Sequence, residues 1–372
     1  MPYAYTRPSP ARYPWQWYWD SCFAAIAWRR YDPARSRAEL ETLLRAMRPD
    51  GFIGHVVFWD RQITRRRRLY YNVASRAAAM TETIQPPLLA WAWRIAVGDP
   101  RSEPLIARHH AWLERNRDLD GDGLLWIVQP DESGLDSSPK FDPIWGRRSH
   151  ARWGFPLLVA GNRRLGWDAR RIRDAGGPVV CEVMTNVLWG LARLAHGEPS
   201  ITPALVDRLW DERRGLFWDE VQPGGARPAI STWAALSPLA LPDLPEQIGR
   251  RLIGEHLLDR KRFWLPVPPS SVSAQEPSFE PNRGPGLKRR YWRGPTWVNA
   301  AWMLWLGLVR LGHHDEAAQM AELLGEAVLR ASLREYYDPY TGEGLGATEF
   351  AWTALIAELV EPCSPPPARS YL

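Results

Sequence analysis

The sequence predicts an all-α protein, a toroid of helical hairpins with its long loops gathered at one end. Three observations carry that prediction. Segments with helical periodicity recur about twelve times, strand-like alternation is nearly absent, and short connections alternate with long ones. In order, the helical stretches run over 19–30, 34–47, 73–96, 103–117, 150–165 and 179–196. They continue over 202–211, 231–240, 244–257, 295–311, 315–333 and 347–360. Pro203 marks a start and Gly312 an end, as proline and glycine do at helix termini. The connection Gly312-His313-His314-Asp315 is short, whereas 118–145 and 263–293 are long and rich in aromatic and polar residues. Long loops in a compact chain usually carry function. No sequence motif repeats along the chain, which favours a closed ring over an open solenoid.

Composition bounds the function. The chain has 372 residues, of which 45% are apolar, enough for a sizeable core in a single domain spanning 1–372. No apolar run reaches the roughly eighteen residues of a membrane span. Residues 1–20 show neither the apolar core nor the cleavage site of a secretory signal. Cys22, Cys181 and Cys363 are odd in number and far apart, with no disulfide or metal spacing. A cytoplasmic location is therefore expected, with no metal and no cofactor. No glycine-rich phosphate loop, zinc motif or GxSxG elbow appears. The 47 basic residues are offset by 42 acidic ones. The one dense cationic run, Arg65 to Arg68, reads as a solvated loop and not as a nucleic-acid surface.

The 22 tryptophans stand apart, at roughly four times ordinary usage. Any one of them is first of all a core residue. So large a surplus also suits a site that packs indoles on the CH faces of sugar rings, with polar neighbours for the hydroxyls. Two clusters fit that use: Trp15-Gln16-Trp17-Tyr18-Trp19-Asp20, and Tyr291-Trp292-Arg293-Gly294-Pro295-Thr296-Trp297.

The long loops hold the candidate acids. Asp131-Glu132-Ser133-Gly134-Leu135-Asp136 places three carboxylates in six residues, in a turn that glycine and serine keep from being a helix face. Like charges crowded beside tryptophans raise at least one pKa, as a general acid needs. An ordinary acidic surface loop is the plainer alternative. Arg334-Glu335-Tyr336-Tyr337-Asp338-Pro339-Tyr340-Thr341-Gly342 sets a carboxylate among tyrosines where a helix ends and a turn begins. A solvent-facing Glu is its plainer reading. Asp118-Leu119-Asp120-Gly121-Asp122 opens like a calcium loop, but Gln129 stands where the twelfth-position glutamate belongs. A tight turn is the better reading there.

The strings YWDSCFAAIAW, ESGLDSSP, FWLPVP, EPSF, YWRGPTWVNAAW and REYYDPYTG occur in one order across nearly the whole chain. Together they resemble glycoside hydrolase family 63, in particular its bacterial mannosylglycerate and glucosylglycerate hydrolases, and more distantly trehalases. The resemblance implies an (α/α)6 barrel and hydrolysis with inversion. It implies Asp136 as general acid and Glu335 as general base. It also implies substrate contacts from Tyr13, Trp17, Trp19, Asp20, His55, Gln85, Gly134, Tyr291, Trp292, Arg293, Gly294 and Trp297. Tyr291 and Trp292 would sit on a loop closing over the ligand. The best-matching substrate is then mannosylglycerate or glucosylglycerate, a small carbohydrate, and Arg293 could meet the glycerate carboxylate or pair with a nearby acid. The alternatives are an α-glucosidase or trehalase-like enzyme acting on oligosaccharides, and a non-catalytic sugar-binding or scaffold protein. Two departures from the family pattern stand out. An aromatic is replaced by Asp131, whose charge would disfavour an anionic aglycone unless it turns away. A short N-terminal extension is also expected to be missing. The choice between glucose and mannose, and the oligomeric state, are not written in these motifs.

Overall fold

The computed structural model describes residues 4–59, 80–146, 154–281 and 291–361. In chain order its α-helices are α1 (Tyr18–Trp28), α2 (Pro33–Arg45), α3 (Leu89–Ala96), α4 (Pro104–Arg117), α5 (Asp142–Trp145), α6 (Gly154–Arg164) and α7 (Ala169–Asp174). There follow α8 (Val183–His196), α9 (Thr202–Leu209), α10 (Glu246–Arg251), α11 (Val298–Arg310), α12 (His314–Ala331) and α13 (Ile356–Val360). The short strands are β1 (Gln16–Trp17), β2 (Val56–Val57), β3 (Trp126–Ile127), β4 (Val179–Cys181), β5 (Trp210–Asp211), β6 (Leu216–Phe217), β7 (Glu220–Gln222), β8 (Arg334–Tyr337) and β9 (Gly344–Thr348).

Six of the described helical segments close a ring. α1 packs on α3, α3 on α8, and α8 on the 3₁₀ segment Trp233–Ala240. That segment packs on α11, α11 on the 3₁₀ segment Ala351–Leu355, and this last one returns to α1. The ring members are apolar on every side: α1 buries Tyr18 through Ala27, and α11 buries ten of its residues from Val298 to Leu308. A helix that is apolar all round belongs in the centre. Outside it lie amphipathic helices, α2 against α1, α9 against α8, and α12 against α11 and α13. α2 starts on an Asp32 cap that accepts from the Arg35 N–H at 2.9 Å, with Pro33 in its first turn. This is the (α/α)6 toroid.

Several boundaries differ from the periodic reading. Of the stretch 73–96, residues 73–79 lie outside the described residues; among the rest, 80–88 are not helical and 89–96 form α3. The expected start at 179 is a strand, β4 (Val179–Cys181), because its β-branched residues pair with β3 (Trp126–Ile127) and β7 (Glu220–Gln222). Pro238 holds the stretch 231–240 to a 3₁₀ segment. The stretch 244–257 is α10 continuing as a π-helix, Leu252–Leu257. The expected start of the last helix is strand β9 (Gly344–Thr348), paired with β8 (Arg334–Tyr337). Two helices too short for a periodicity argument, α5 and α7, are additional.

Arg65 to Arg68 and Cys363 lie outside the described residues, while Cys22 and Cys181 are free and buried. No described helix is long and apolar enough to cross a membrane. The acids of the 118–122 turn are engaged locally. Asp118 accepts from the Gly121 and Gly123 N–H groups, Asp122 from Leu124, and Asp120 pairs with Arg173 and Arg208.

Candidate active site

A cavity opens at the end of the toroid where the inner segments begin. Its lining comes mostly from residues at or just ahead of their starts: Trp17, Trp19 and Asp20 at α1, Gln85 before α3, Trp292 and Trp297 before α11, and Phe350 and Trp352 at the last segment. Tyr13, His55, Asp131, Gly134, Asp136, Tyr291 and Glu335 also line it.

The three crowded acids have separate fates. Glu132 is fully buried and structural. Arg117 meets it with Nη2–Oε1 and Nη1–Oε2 contacts of 2.6 Å each, and the Ile84 and Val128 N–H groups donate to it. That ion pair pins the 3₁₀ turn Pro130–Ser133 and so positions its two acidic neighbours. Gly134 follows with φ +73°, and a Cβ there would lie 2.5 Å from the Trp19 ring. Only glycine permits both the turn and that approach. Asp136 then faces the cavity. The Tyr291 hydroxyl donates to it at 2.9 and 2.8 Å, and Ser137 Oγ accepts from the Tyr291 and Trp292 N–H groups. The aromatic loop is thus latched onto the acid turn.

Asp131 does not turn away. It lines the cavity, accepting from Gln129 Nε2 at 2.7 Å, and Asn162 in turn donates to Gln129. Burial, with the charges of Glu132 and Asp136 nearby, pushes its carboxyl up to about 8, against the lowering contact from Gln129. That shift favours the protonated carboxyl near neutral pH. A protonated Asp131 would lessen the expected penalty against an anionic aglycone.

Glu335 comes from β8 and is only 3% exposed. The Tyr13 hydroxyl donates to Oε1 at 3.0 Å, the Ala347 N–H to Oε2 at 2.8 Å, and Arg12 stands 3.6 Å away. Burial raises its pKa; the Arg12 charge and the two hydrogen bonds pull back, and Asp136 adds to the rise. Asp20 is raised well above the usual carboxylate range, burial leading and the Glu335 charge contributing.

The remaining polar contacts are built to stay in place. Gln85 Oε1 accepts from the Trp19 N–H at 3.0 Å. β1 (Gln16–Trp17) pairs with β2 (Val56–Val57), bringing His55 beside Trp17. Burial depresses His55 to about 3, so the ring is neutral, with Nδ1 2.6 Å from Thr83 Oγ1. Trp292 and Trp297 stack at 3.8 Å and 9°.

Arg293 and Gly294 do not line the cavity. Arg293 Nη2 binds both oxygens of Asp142 at 2.6 and 2.7 Å, so the acid-pairing reading describes it. Gly294 donates to Ser271 Oγ and packs on the Pro281 backbone. Phe350 and Trp352 are cavity residues hidden from the sequence inside a stretch read as helix. Pro8 and Phe155 carry no local signal at all.

With this geometry in place, known proteins are informative. A sequence model of the mannosylglycerate hydrolase MGH1-like glycoside hydrolase domain matches residues 13–353. The chain belongs to this family. It is 31% identical to mannosylglycerate hydrolase of Thermus thermophilus, covering 95% of this chain and 96% of that one. It is 27% identical to glucosylglycerate hydrolase of Mycolicibacterium hassiacum, over 94% and 92%. Its fold matches a family 63 mannosylglycerate hydrolase of Thermus thermophilus in complex with Tris and D-glycerate, with TM-score 0.81 and 29% identity over 96% of this chain and 95% of that one. As a member of the MGH1-like family it is a glycoside hydrolase.

Proposed function

We propose that the chain hydrolyses mannosylglycerate or glucosylglycerate with inversion, Asp136 giving the proton and Glu335 taking one from water. The observation that carries this reading is the placement of the two carboxylates on one aromatic-walled cavity, each held by its own tyrosine.

Asp136 protonates the glycosidic oxygen as the bond to the anomeric carbon breaks. Glu335, ionised, removes a proton from a water on the opposite ring face. That water attacks through an oxocarbenium-like transition state. Asp20, Gln85 and the neutral His55 bind sugar hydroxyls, while Trp19 and the Trp292–Trp297 stack bound the ring faces. Asp131, protonated at neutral pH, donates to the aglycone, which accommodates a carboxylate such as glycerate.

A panel of α-glucosides and α-mannosides, with glycerate, glycerol or an oligosaccharide as aglycone, tests the proposal by proton NMR. The β-anomer is expected first, with the glycerate-bearing glycosides turned over fastest. First release of the α-anomer overturns the inverting assignment. Equal rates on glycerate and bulky oligosaccharide aglycones overturn the substrate class.

A further inference from the structure

Away from the cavity, three metal-competent side chains meet at one point. His110 lies on α4, His196 ends α8, and Glu198 follows two residues later. Gly197 makes this possible, turning the chain with φ +81° so that the Glu198 N–H returns to the Arg193 carbonyl. His110 Nδ1 is 2.8 Å from Glu198 Oε1, and His196 Nδ1 is 2.9 Å from the same oxygen. The three candidate donor atoms all lie within 4.8 Å of one another.

Ordinary hydrogen bonding leaves part of this cluster unsatisfied. His196 Nδ1 and Glu198 Oε2 are buried atoms with no hydrogen bond of acceptable geometry. For His196 the distance to Glu198 Oε1 is short but the direction is wrong. Buried polar groups are normally paired, so two orphaned atoms in one trio call for a further partner. Arg193 is the nearby cation, 3.5 Å from Oε2, but its guanidinium is engaged by Glu114 and the Pro199 carbonyl.

We propose that His110, His196 and Glu198 form a binding site for one divalent transition cation of the zinc type. Two imidazoles and a carboxylate are a ligand set that zinc takes with three protein ligands and an open fourth position, at roughly 2.0–2.2 Å. Tetrahedral ligands at that radius stand about 3.3 Å apart, so each imidazole would withdraw by about 0.5 Å from Oε1, and the two imidazole nitrogens, within 4.8 Å of each other, would settle at the same spacing. Soft and borderline cations are favoured by the nitrogens, and calcium and magnesium are not. His110 already rests edge-on against Trp189 of α8 at 4.7 Å. A bound cation would therefore staple α4 to the C-terminal end of α8, a ring helix. None of the three residues lines the candidate active site.

The test uses the full chain without an affinity tag, stripped with EDTA. Cobalt(II) is added with visible absorption as the readout, and zinc(II) with calorimetry. One equivalent is expected, with a cobalt d–d band and a rise in Tm, and magnesium should not compete. His196→Ala and Glu198→Gln should each weaken binding at least about tenfold while leaving glycoside hydrolysis unchanged. His196 is partly exposed, so its truncation leaves the core intact, and circular dichroism checks folding of both variants. Absence of a saturable single equivalent overturns the proposal. So does unaltered affinity in both folded variants.

Discussion

The two carboxylates of the candidate site sit in unlike surroundings. Asp136 belongs to an irregular turn and meets Tyr291 from a loop 155 residues away. Glu335 belongs to a strand, is nearly inaccessible, and takes three stabilising contacts from residues near both ends of the chain. One wall is assembled from two loops latched together; the other is fixed by the β8–β9 hairpin. The difference teaches that one cavity can hold the same functional group in two unlike electrostatic settings, as the proposed division of roles requires. Donors aimed at Glu335 favour its charged form, while the acid turn places Asp136 beside a second acid, Asp131.

The largest effect should come from removing either carboxyl. Asp136→Asn and Glu335→Gln are each expected to lower kcat about 10³-fold on natural glycosides. A glycosyl fluoride, whose leaving group needs no proton, separates the walls. Asp136→Asn should recover most of its rate on the fluoride and Glu335→Gln none, and recovery by the glutamine variant would reverse the roles. Next, Gly134→Ala forces a Cβ into the Trp19 ring at a left-handed φ. A loss of about 10²-fold in kcat/KM is expected from displacement of the acid turn, with a lower Tm in thermal melting.

A smaller effect concerns pH. Glu335 must be ionised to act as base, and its pKa is raised, so the acid limb of kcat/KM should lie above the ordinary glutamate range. Arg12→Ala removes a charge that lowers that pKa and should move the limb up by about one pH unit or less. Tyr291→Phe, which touches the other wall, should leave the limb in place; a shift there would contradict the independence of the two walls. The smallest effect is expected at Asp131. Above about pH 8 its carboxyl ionises. KM for a glycerate-bearing substrate should then rise several-fold, and KM for the glycerol analogue should not. Asp131→Asn should abolish that selectivity change.

Much of this architecture can be read from the chain. α1, α2, α4, α11 and α12 follow from apolar periodicity within a few residues at their ends, because the pattern that makes them helices also buries them. Of the readings that fail, those at Val179, around Pro238 and at Ala347 are where strand partners or a proline outweigh local propensity. Within the site, the motifs around Asp136 and Glu335 announce themselves through acids set among aromatics. Phe350 and Trp352 do not, since an aromatic in an apolar stretch looks the same whether it fills the core or walls a cavity.

By itself, the sequence determines that this is a helical protein with two acid-bearing loops and an unusual store of tryptophan, since periodicity and composition are properties of neighbouring residues. Tertiary structure alone decides that Glu132 is an anchor for Arg117, that Asp131 faces the substrate space, that Arg293 belongs to Asp142, and that His110 meets His196 and Glu198. The reason is that a polar side chain takes its role from its partners and its exposure to water. Those partners arrive from elsewhere on the chain, 151 residues away for Arg293 and 88 for His110.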